Sequence, residues 1–412
     1  MNLQIKLFRK LNYIFLLFLV LILIAKPTFS QLSEKSEISL LTIGQGKDLY
    51  SAFGHSAIYI SDPGLNIQYV YNYGTFSFGP DFYMKFTKGE MDYMLSVSTY
   101  EDEYDSWTSE DRSVVKQVLN LTLEQKNKLF RFLETNALPE NRVYRYDYFY
   151  DNCSNRIDSA LKIALGRELK FSAEKVVELH SKKGATVRDL THHYLLDNPW
   201  GELGIETCLG ISMDKKLTPE QFKFIPDYLM WNLDEAKIES NGTFAPLVKE
   251  KTVLYKSVNA LVKKTTIDYI TPTLIFVIVF ILACFFSFPF IHKTFFARVF
   301  DFILYFTCGA VGLLLIYLWF FTTHRSHYNF NLIWANPLNF FLSFFILSKR
   351  YKAKLNNYFL VYGLIVLITL IFWAILPQKI NNAYIFIYLA LALRSLSHFL
   401  YDRKSMYSIN KC

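Results

Sequence analysis

The hydrophobic pattern changes character twice along the chain. The first apolar run, residues 14–25, is preceded by Lys6, Arg9 and Lys10 and followed by the small residues Thr28 and Ser30. A basic head, a short apolar stretch and a small-residue exit predict a secretory signal peptide over residues 1–30; an uncleaved anchor is the alternative. From 31 to 268 the apolar residues fall in shorter patterns. Runs 38–43, 55–61 and 68–73 are β-branched or aromatic, with Asp62-Pro63-Gly64 as turn chemistry between the last two. Thr122-Leu-Glu-Gln125 predicts a capping box opening a helix with Leu129, Phe132 and Leu133 on one face, ending before Pro139. Residues 144–150 alternate aromatic and other side chains and predict a strand. Asp151-Asn-Cys-Ser-Asn-Arg156 then leads into Ile157, Ala160, Leu161, Ala164 and Leu165 at helical spacing, closed by Gly166. Cys153 thus falls in the first turn of a helix behind an aromatic strand. Thr218-Pro219 predicts a further helix start and Asn241-Gly242 a turn.

Beyond residue 268 the apolar stretches lengthen. Those at 272–291, 299–321, 332–347, 358–376 and 380–400 approach the length a bilayer demands, the third being short. With the middle region outside, the inner segments hold Lys293, Arg298, Lys349, Arg350, Lys352, Lys354, Arg403, Lys404 and Lys411. The outer loops hold only Arg325 and Lys379. That bias predicts five spans with the C-terminus inside. The expected fold class is an α+β extracytoplasmic domain over 31–268, followed by an all-α five-helix transmembrane domain over 269–412.

Composition agrees: 52% of residues are apolar and 19% charged, which argues against a purely soluble enzyme. The formal net charge of +8 suggests a nucleic-acid partner until it is divided. Residues 31–268 hold 28 Lys and Arg against 34 Asp and Glu, so the basic excess lies in the leader and the apolar tail. No nucleic-acid partner is expected.

The chemistry centres on a Cys and a His. A thiol at a helix N-terminus faces the positive end of the backbone dipole, which favours thiolate, and a nearby imidazole makes it the attacking form. His55, in Gly54-His55-Ser56-Ala57, opens a strand ahead of Cys153, and Asn72 near the end of the next strand is the candidate residue orienting the imidazole. The order His before Cys matches circularly permuted papain-like enzymes. The competing reading is a disulfide between Cys153 and Cys208, the two cysteines outside the apolar tail. His55 as a core residue and Asn72 as a turn residue are the plainer alternatives. His192 and His193 are adjacent and point to different helix faces, so no metal is expected, and no cofactor.

These residues resemble a known family, the Lnb-type lipoprotein N-acyltransferases, whose front part is the Lnb N-terminal periplasmic domain. The resemblance rests on Gly54-His-Ser-Ala57, Tyr71-Asn-Tyr-Gly-Thr-Phe76, Tyr148-Phe-Tyr-Asp-Asn-Cys-Ser154, Asn198-Pro-Trp-Gly201 with Leu203-Gly-Ile205, and the stretch from Thr323-His324 to Asn336-Pro-Leu338. Asp158 stands where the family pattern leads one to expect an arginine. The resemblance implies a thiol acyltransferase in a bacterial inner membrane. Its acyl donor would be a phospholipid and its acceptor a diacylated lipoprotein, with His55 and Cys153 at the reacting positions. A tethered thiol peptidase or amidase acting on cell-wall peptides is the alternative, and a non-enzymatic envelope scaffold a third. In the tail, polar side chains lie in or beside apolar segments, where they are costly unless they face a cavity or partner. His324, Arg325, Asn331, Trp334 and Asn336 are therefore candidate substrate-binding residues, with Arg325 placed to meet a lipid phosphate.

Overall fold

The protein is described by a computed structural model over residues 31–76, 79–240, 242–258, 270–347 and 355–409. The expected leader at 1–30, Asn241 of the expected turn, the basic run at 349–354 and Lys411 lie outside these residues. Strands β1 (Glu37–Ile43), β2 (His55–Asp62), β3 (Ile67–Thr75), β4 (Asp92–Thr99), β5 (Val114–Leu119) and β6 (Val143–Arg145) belong to one sheet. Strands β7 (Leu169–Lys170), β8 (Lys237–Ser240) and β9 (Thr243–Pro246) form a small second sheet, and β10 (Val248–Tyr255) closes the first on its β5 edge. The larger sheet has seven strands, ordered β10-β5-β1-β2-β3-β4-β6, all neighbours antiparallel.

The three expected strands are present because their residues alternate between two buried faces. Ile38, Leu40, Ile58 and Ile60 point into one core, and Leu41, Ile43, Ala57 and Tyr59 into the other. Helices α1 (Phe82–Lys88), α2 (Tyr100–Ser109), α3 (Leu123–Ala137) and α4 (Cys153–Leu165) are interleaved with the strands. Trp107 of α2 covers the second face, while α3 and α4 cover the first with Leu129, Leu133, Ile157 and Leu161. The capping box expected at α3 is complete: Thr122 N–H donates to Gln125 Oε1 (2.9 Å), and Gln125 N–H to Thr122 Oγ1 (3.3 Å). The aromatic strand expected before Cys153 is not. Only Val143–Arg145 pairs with β4; the chain then turns, because Asp147 Oδ1 accepts the N–H groups of Phe149 and Tyr150 and so bends the backbone away from a ladder.

Helices α5 (Ala173–His180), α6 (Val187–Tyr194), α7 (Pro199–Cys208) and α8 (Pro226–Glu235) follow. A short 3-10 helix, Pro219–Phe224, stands where Thr218-Pro219 foretold a helix start. The tail comprises α9 (Pro272–Phe286), α10 (Phe295–Phe320), α11 (Leu338–Ile346), α12 (Asn356–Ile371) and α13 (Tyr384–Ile409). Of these, α10 and the Tyr384–Tyr401 part of α13 are long and apolar enough to cross a membrane, and the other three apolar segments are shorter. The third expected stretch is broken at Asn336-Pro337, since proline lacks an N–H and Asn336 Oδ1 caps Leu338 N–H; only nine residues of α11 follow. Gly312 of α10 lets the broken segment approach: a Cβ there would lie 2.0 Å from the Ala335 carbonyl oxygen. Asp301 is fully buried in the tail and is met by Arg394 in a fork, Nε to Oδ1 at 2.6 Å and Nη2 to Oδ2 at 2.7 Å.

Domain and tail are joined through α7. Leu203 packs into the tail's core. The carbonyls at the end of α7 accept from tail side chains: Thr207 O from Asn329 Nδ2 (2.7 Å) and Asn331 Nδ2 (3.1 Å), Cys208 O from Ser326 Oγ (2.6 Å), and Leu209 O from Gln378 Nε2 (3.1 Å).

The Asp301–Arg394 fork generates a stability test. Arg394→Met leaves the buried Asp301 carboxylate with His398 Nε2 (2.9 Å from Oδ2) but without its fork and is expected to destabilise the tail by about 3 kcal/mol, whereas Asp301→Leu with Arg394→Met should recover part of that loss. Thermal unfolding in detergent measures both. Equal melting of Arg394→Met and the parent would show that the pair carries no such energy.

Candidate active site

The register of the sheet brings the sequence-predicted trio together. His55 opens β2 opposite Ile43, the last residue of β1, and β3 runs antiparallel beside it, with Ile58 opposite Tyr71. The start of β2 and the end of β3 therefore share one end of the sheet. Asn72 Oδ1 lies 2.7 Å from His55 Nε2. Gly74, with φ at +100°, leaves the space between: a Cβ there would sit 3.7 Å from His55 Cε1 and 3.9 Å from Cys153 Cβ. Cys153 reaches this end because α4 begins at it. Asn152 caps the helix with its side chain on Asn155 N–H (3.0 Å), and Asn155 answers on Asn152 N–H (3.3 Å).

Asn72 is itself oriented. Its Nδ2 donates to Glu103 Oε1 at 3.1 Å, and Ser98 Oγ donates to the same oxygen at 2.6 Å. A carboxylate accepts only, so it fixes the amide with Oδ1 toward the imidazole; Nε2 then carries the hydrogen, and Nδ1 faces the thiol. Cys153 is 8% exposed. Burial alone would push its thiol up, but the His55 charge and hydrogen bond, the Ser56 backbone N–H and the Ser154 hydroxyl outweigh it and hold the thiol below its ordinary value. The effect on His55 is reciprocal. Burial lowers the imidazole and the Arg112 charge does the same, yet the Cys153 charge and hydrogen bond, together with Asn72, hold it above its ordinary value. Both shifts favour a thiolate–imidazolium pair. Ser154 Oγ lies 3.2 Å from Ser56 Oγ, tying the helix start to β2 beneath the sulfur.

Cys153 and Cys208 are both free thiols. Cys208 packs against the tail core, and burial pushes its thiol up. The five tail residues expected to bind substrate do not converge on one pocket. His324 Nε2 lies 3.1 Å from the Phe86 carbonyl, and Arg325 Nε donates to Asp147 Oδ2 at 3.1 Å with its guanidinium 4.8 Å from the Tyr150 ring centre. Both therefore touch segments that flank the trio. Asn331 holds Trp334 Nε1 (2.9 Å) as well as the Thr207 carbonyl, Trp334 stacks on Tyr384 with ring centres 4.3 Å apart, and Asn336 Oδ1 accepts from Leu338 N–H (3.0 Å). Asp158, at the departure from the family pattern, pairs with Lys223 Nζ at 2.9 Å. Glu103, Ser56 and Ser154 escaped the sequence reading; no local signal marks them, since their value comes from strand register and helix placement.

One donor atom from each of His192, Glu202 and Glu206 lies within 4.8 Å of the others, at the join of domain and tail. They are already hydrogen-bonded: His192 Nδ1 to Glu202 Oε1 at 2.5 Å, and Asn381 Nδ2 to Glu206 Oε2 at 2.9 Å.

Residues 30–192 match the family model of the Lnb N-terminal periplasmic domain, and residues 263–405 match that of the Lnb transmembrane domain. The chain belongs to the Lnb-type family. No curated protein and no solved structure matches it. As an Lnb-type protein it is a membrane-bound enzyme with a periplasmic domain, and His55, Asn72 and Cys153 all lie within the matched periplasmic domain.

The opposed shifts predict a pH profile. Cys153 should be alkylated by iodoacetamide below the ordinary thiol range, where Cys208 is silent. Asn72→Ala removes a contact that raises His55, so the Cys153 inflection should move up, with the rate at any pH below both inflections falling about tenfold for each unit it moves. Superposable profiles for Cys153 and Cys208 would refute the ion pair.

Proposed function

We propose that this Lnb-type enzyme is a thiol acyltransferase that N-acylates lipoproteins. The Cys153 thiolate attacks the carbonyl carbon of a phospholipid ester in the outer leaflet of the bacterial inner membrane. The tetrahedral oxyanion is met by the Cys153 backbone N–H at the start of α4, a group that no helical carbonyl uses. As the intermediate collapses, His55 gives its proton to the departing alkoxide; a lysophospholipid leaves and Cys153 carries the acyl chain as a thioester. The neutral α-amine of a diacylglyceryl-cysteine lipoprotein then attacks the thioester, His55 takes the amine proton, and an amide forms with release of the thiolate. Asn72 and Glu103 keep the imidazole in the tautomer both steps need.

The observation that carries this reading is the direction in which the trio faces. It lies at the sheet end from which Asp147 reaches Arg325 and the Phe86 carbonyl meets His324, both residues standing shortly after α10 leaves the membrane. A substrate anchored in the bilayer approaches from that side; a cell-wall polymer does not. The domain is read as a permuted papain-like fold, with the helix-borne Cys following the strand-borne His. The tail is read as five crossings with the C-terminus inside, which the excess of basic residues on the inner side supports.

Mass spectrometry of lipoprotein N-terminal peptides tests the reaction. Cells with the parent protein should yield the N-acylated form, while Cys153→Ser and His55→Ala should lower it by at least about a hundredfold, and Cys208→Ser should leave it unchanged. Loss of acylation with Cys208→Ser as complete as with Cys153→Ser would refute the assignment, and peptide in place of acyl chain on Cys153 would make the protein a peptidase. For the topology, a reporter fused at the C-terminus should be active only inside the cell.

A further inference from the structure

Two segments flank the trio, and each carries large apolar side chains into solvent. Residues 44–54 lead into His55, and there Leu49 is 41% and Tyr50 69% exposed. The chain leaving β3 after Asn72 and Gly74 forms α1, where Met84 is 60% and Phe86 57% exposed. A periplasmic domain with a core of its own has no folding reason to expose four such residues in the segments that flank one trio.

Both segments are fastened to the places where the tail enters its apolar helices. At the end of α1, Thr323 N–H donates to Lys88 O (2.9 Å) and Thr323 Oγ1 to Gly89 O (2.7 Å), and Thr323 stands just beyond the end of α10. On the other side, Leu49 packs against Gly201 of α7, where a Cβ would meet it at 2.8 Å, and the neighbouring Trp200 donates Nε1–H to Ile270 O (2.8 Å), shortly before α9. The apolar side chains thus stand at the level where the helices leave the lipid.

We propose that α1 and the 47–51 loop are two lips that dip into the outer leaflet of the bilayer, so that a phospholipid acyl ester passes between them to Cys153 without crossing water. The occupant of this surface is the lipid leaflet itself. Its continuity with the transmembrane helices argues for lipid, and so does Lys88 in the last turn of α1, which suits an anionic headgroup layer above apolar contacts; Lys85 beside it is paired with Asp92 (2.9 Å). The inference rests on the acyl-donor reading above and adds how the donor reaches the thiol.

Contact with lipid is tested apart from activity. In the full-length protein in nanodiscs of phosphatidylethanolamine and phosphatidylglycerol, p-benzoylphenylalanine placed at Phe86 should form a phospholipid adduct on irradiation. The same probe at Leu65, in the turn at the opposite end of β2 and β3, should not. A protein–protein adduct at 86, or equal lipid labelling at both positions, overturns the proposal. Met84→Ser with Phe86→Ser should cut formation of acyl-Cys153 from vesicle phospholipid by about tenfold or more, while iodoacetamide alkylation of Cys153 stays unchanged. Unchanged acylation in that variant also overturns it. A lipid adduct at 86 with no acyl-Cys153 in the parent would instead sink the acyl-donor reading and leave the surface standing.

Discussion

The last turn of α7 ends inside protein, away from water, and that constrains everything around it. A helix terminus leaves its final carbonyls without intrahelical partners, and burying them unmet costs as much as several lost hydrogen bonds. Here Asn329, Asn331, Ser326 and Gln378 of the tail supply donors, while Arg188 of the domain meets Glu206 O (2.8 Å) and shares Leu209 O (2.9 Å). The helix is capped jointly by the two halves of the chain. Its direction therefore fixes how the periplasmic domain stands on the tail, and with it which end of the seven-stranded sheet faces the tail.

At that end the chemistry is arranged in series. Glu103 orients Asn72, Asn72 orients His55, and His55 pulls the Cys153 thiol below its ordinary value; each contact leaves the next group one arrangement. The thiol is buried, so its ionisation depends on the imidazole more than on solvent, and Ser56 and Ser154 lend hydrogen bonds where water is excluded. Ionisation and shielding from water normally oppose one another. The paired shifts of Cys153 and His55 reconcile them.

Much of this was legible in the sequence. Short β-branched or aromatic runs located β1, β2 and β3, the Thr122–Gln125 box located α3, and a Cys at a helix start behind an earlier strand-borne His pointed to the pair that the fold brings together. Asn72 followed from its place on the next strand. Glu103 did not, because its relation to Asn72 is set by how α2 folds over β3 and β4. The aromatic run before Cys153 looked like a strand because alternation is the same signal whether or not a partner strand exists; Asp147 ends the pairing by a local hydrogen bond that periodicity does not record. The polar residues of the tail were visible as an anomaly in an apolar region, but the carbonyls met by Asn331 belong to a helix some 120 residues earlier in the chain. Sequence shows that such a side chain needs a partner; only the fold says which one.

The jointly capped helix has a consequence for how the two halves of the chain depend on each other. The caps come from two separate loops of the tail, and Gln378 stands 169 residues beyond the Leu209 carbonyl it meets. Gly210, beside the joint, has room for no side chain at all: a Cβ there would lie 2.0 Å from the His327 carbonyl oxygen, so the loop must close directly onto the backbone. The chain order places His55, Asn72 and Cys153 ahead of the groups that seat their domain. A chain without these loops leaves the carbonyls of Thr207 and Cys208 without the donors that Asn329, Asn331 and Ser326 supply. The joint closes only when both loops of the tail are in place, so the seating of the domain depends on residues far beyond it in the chain.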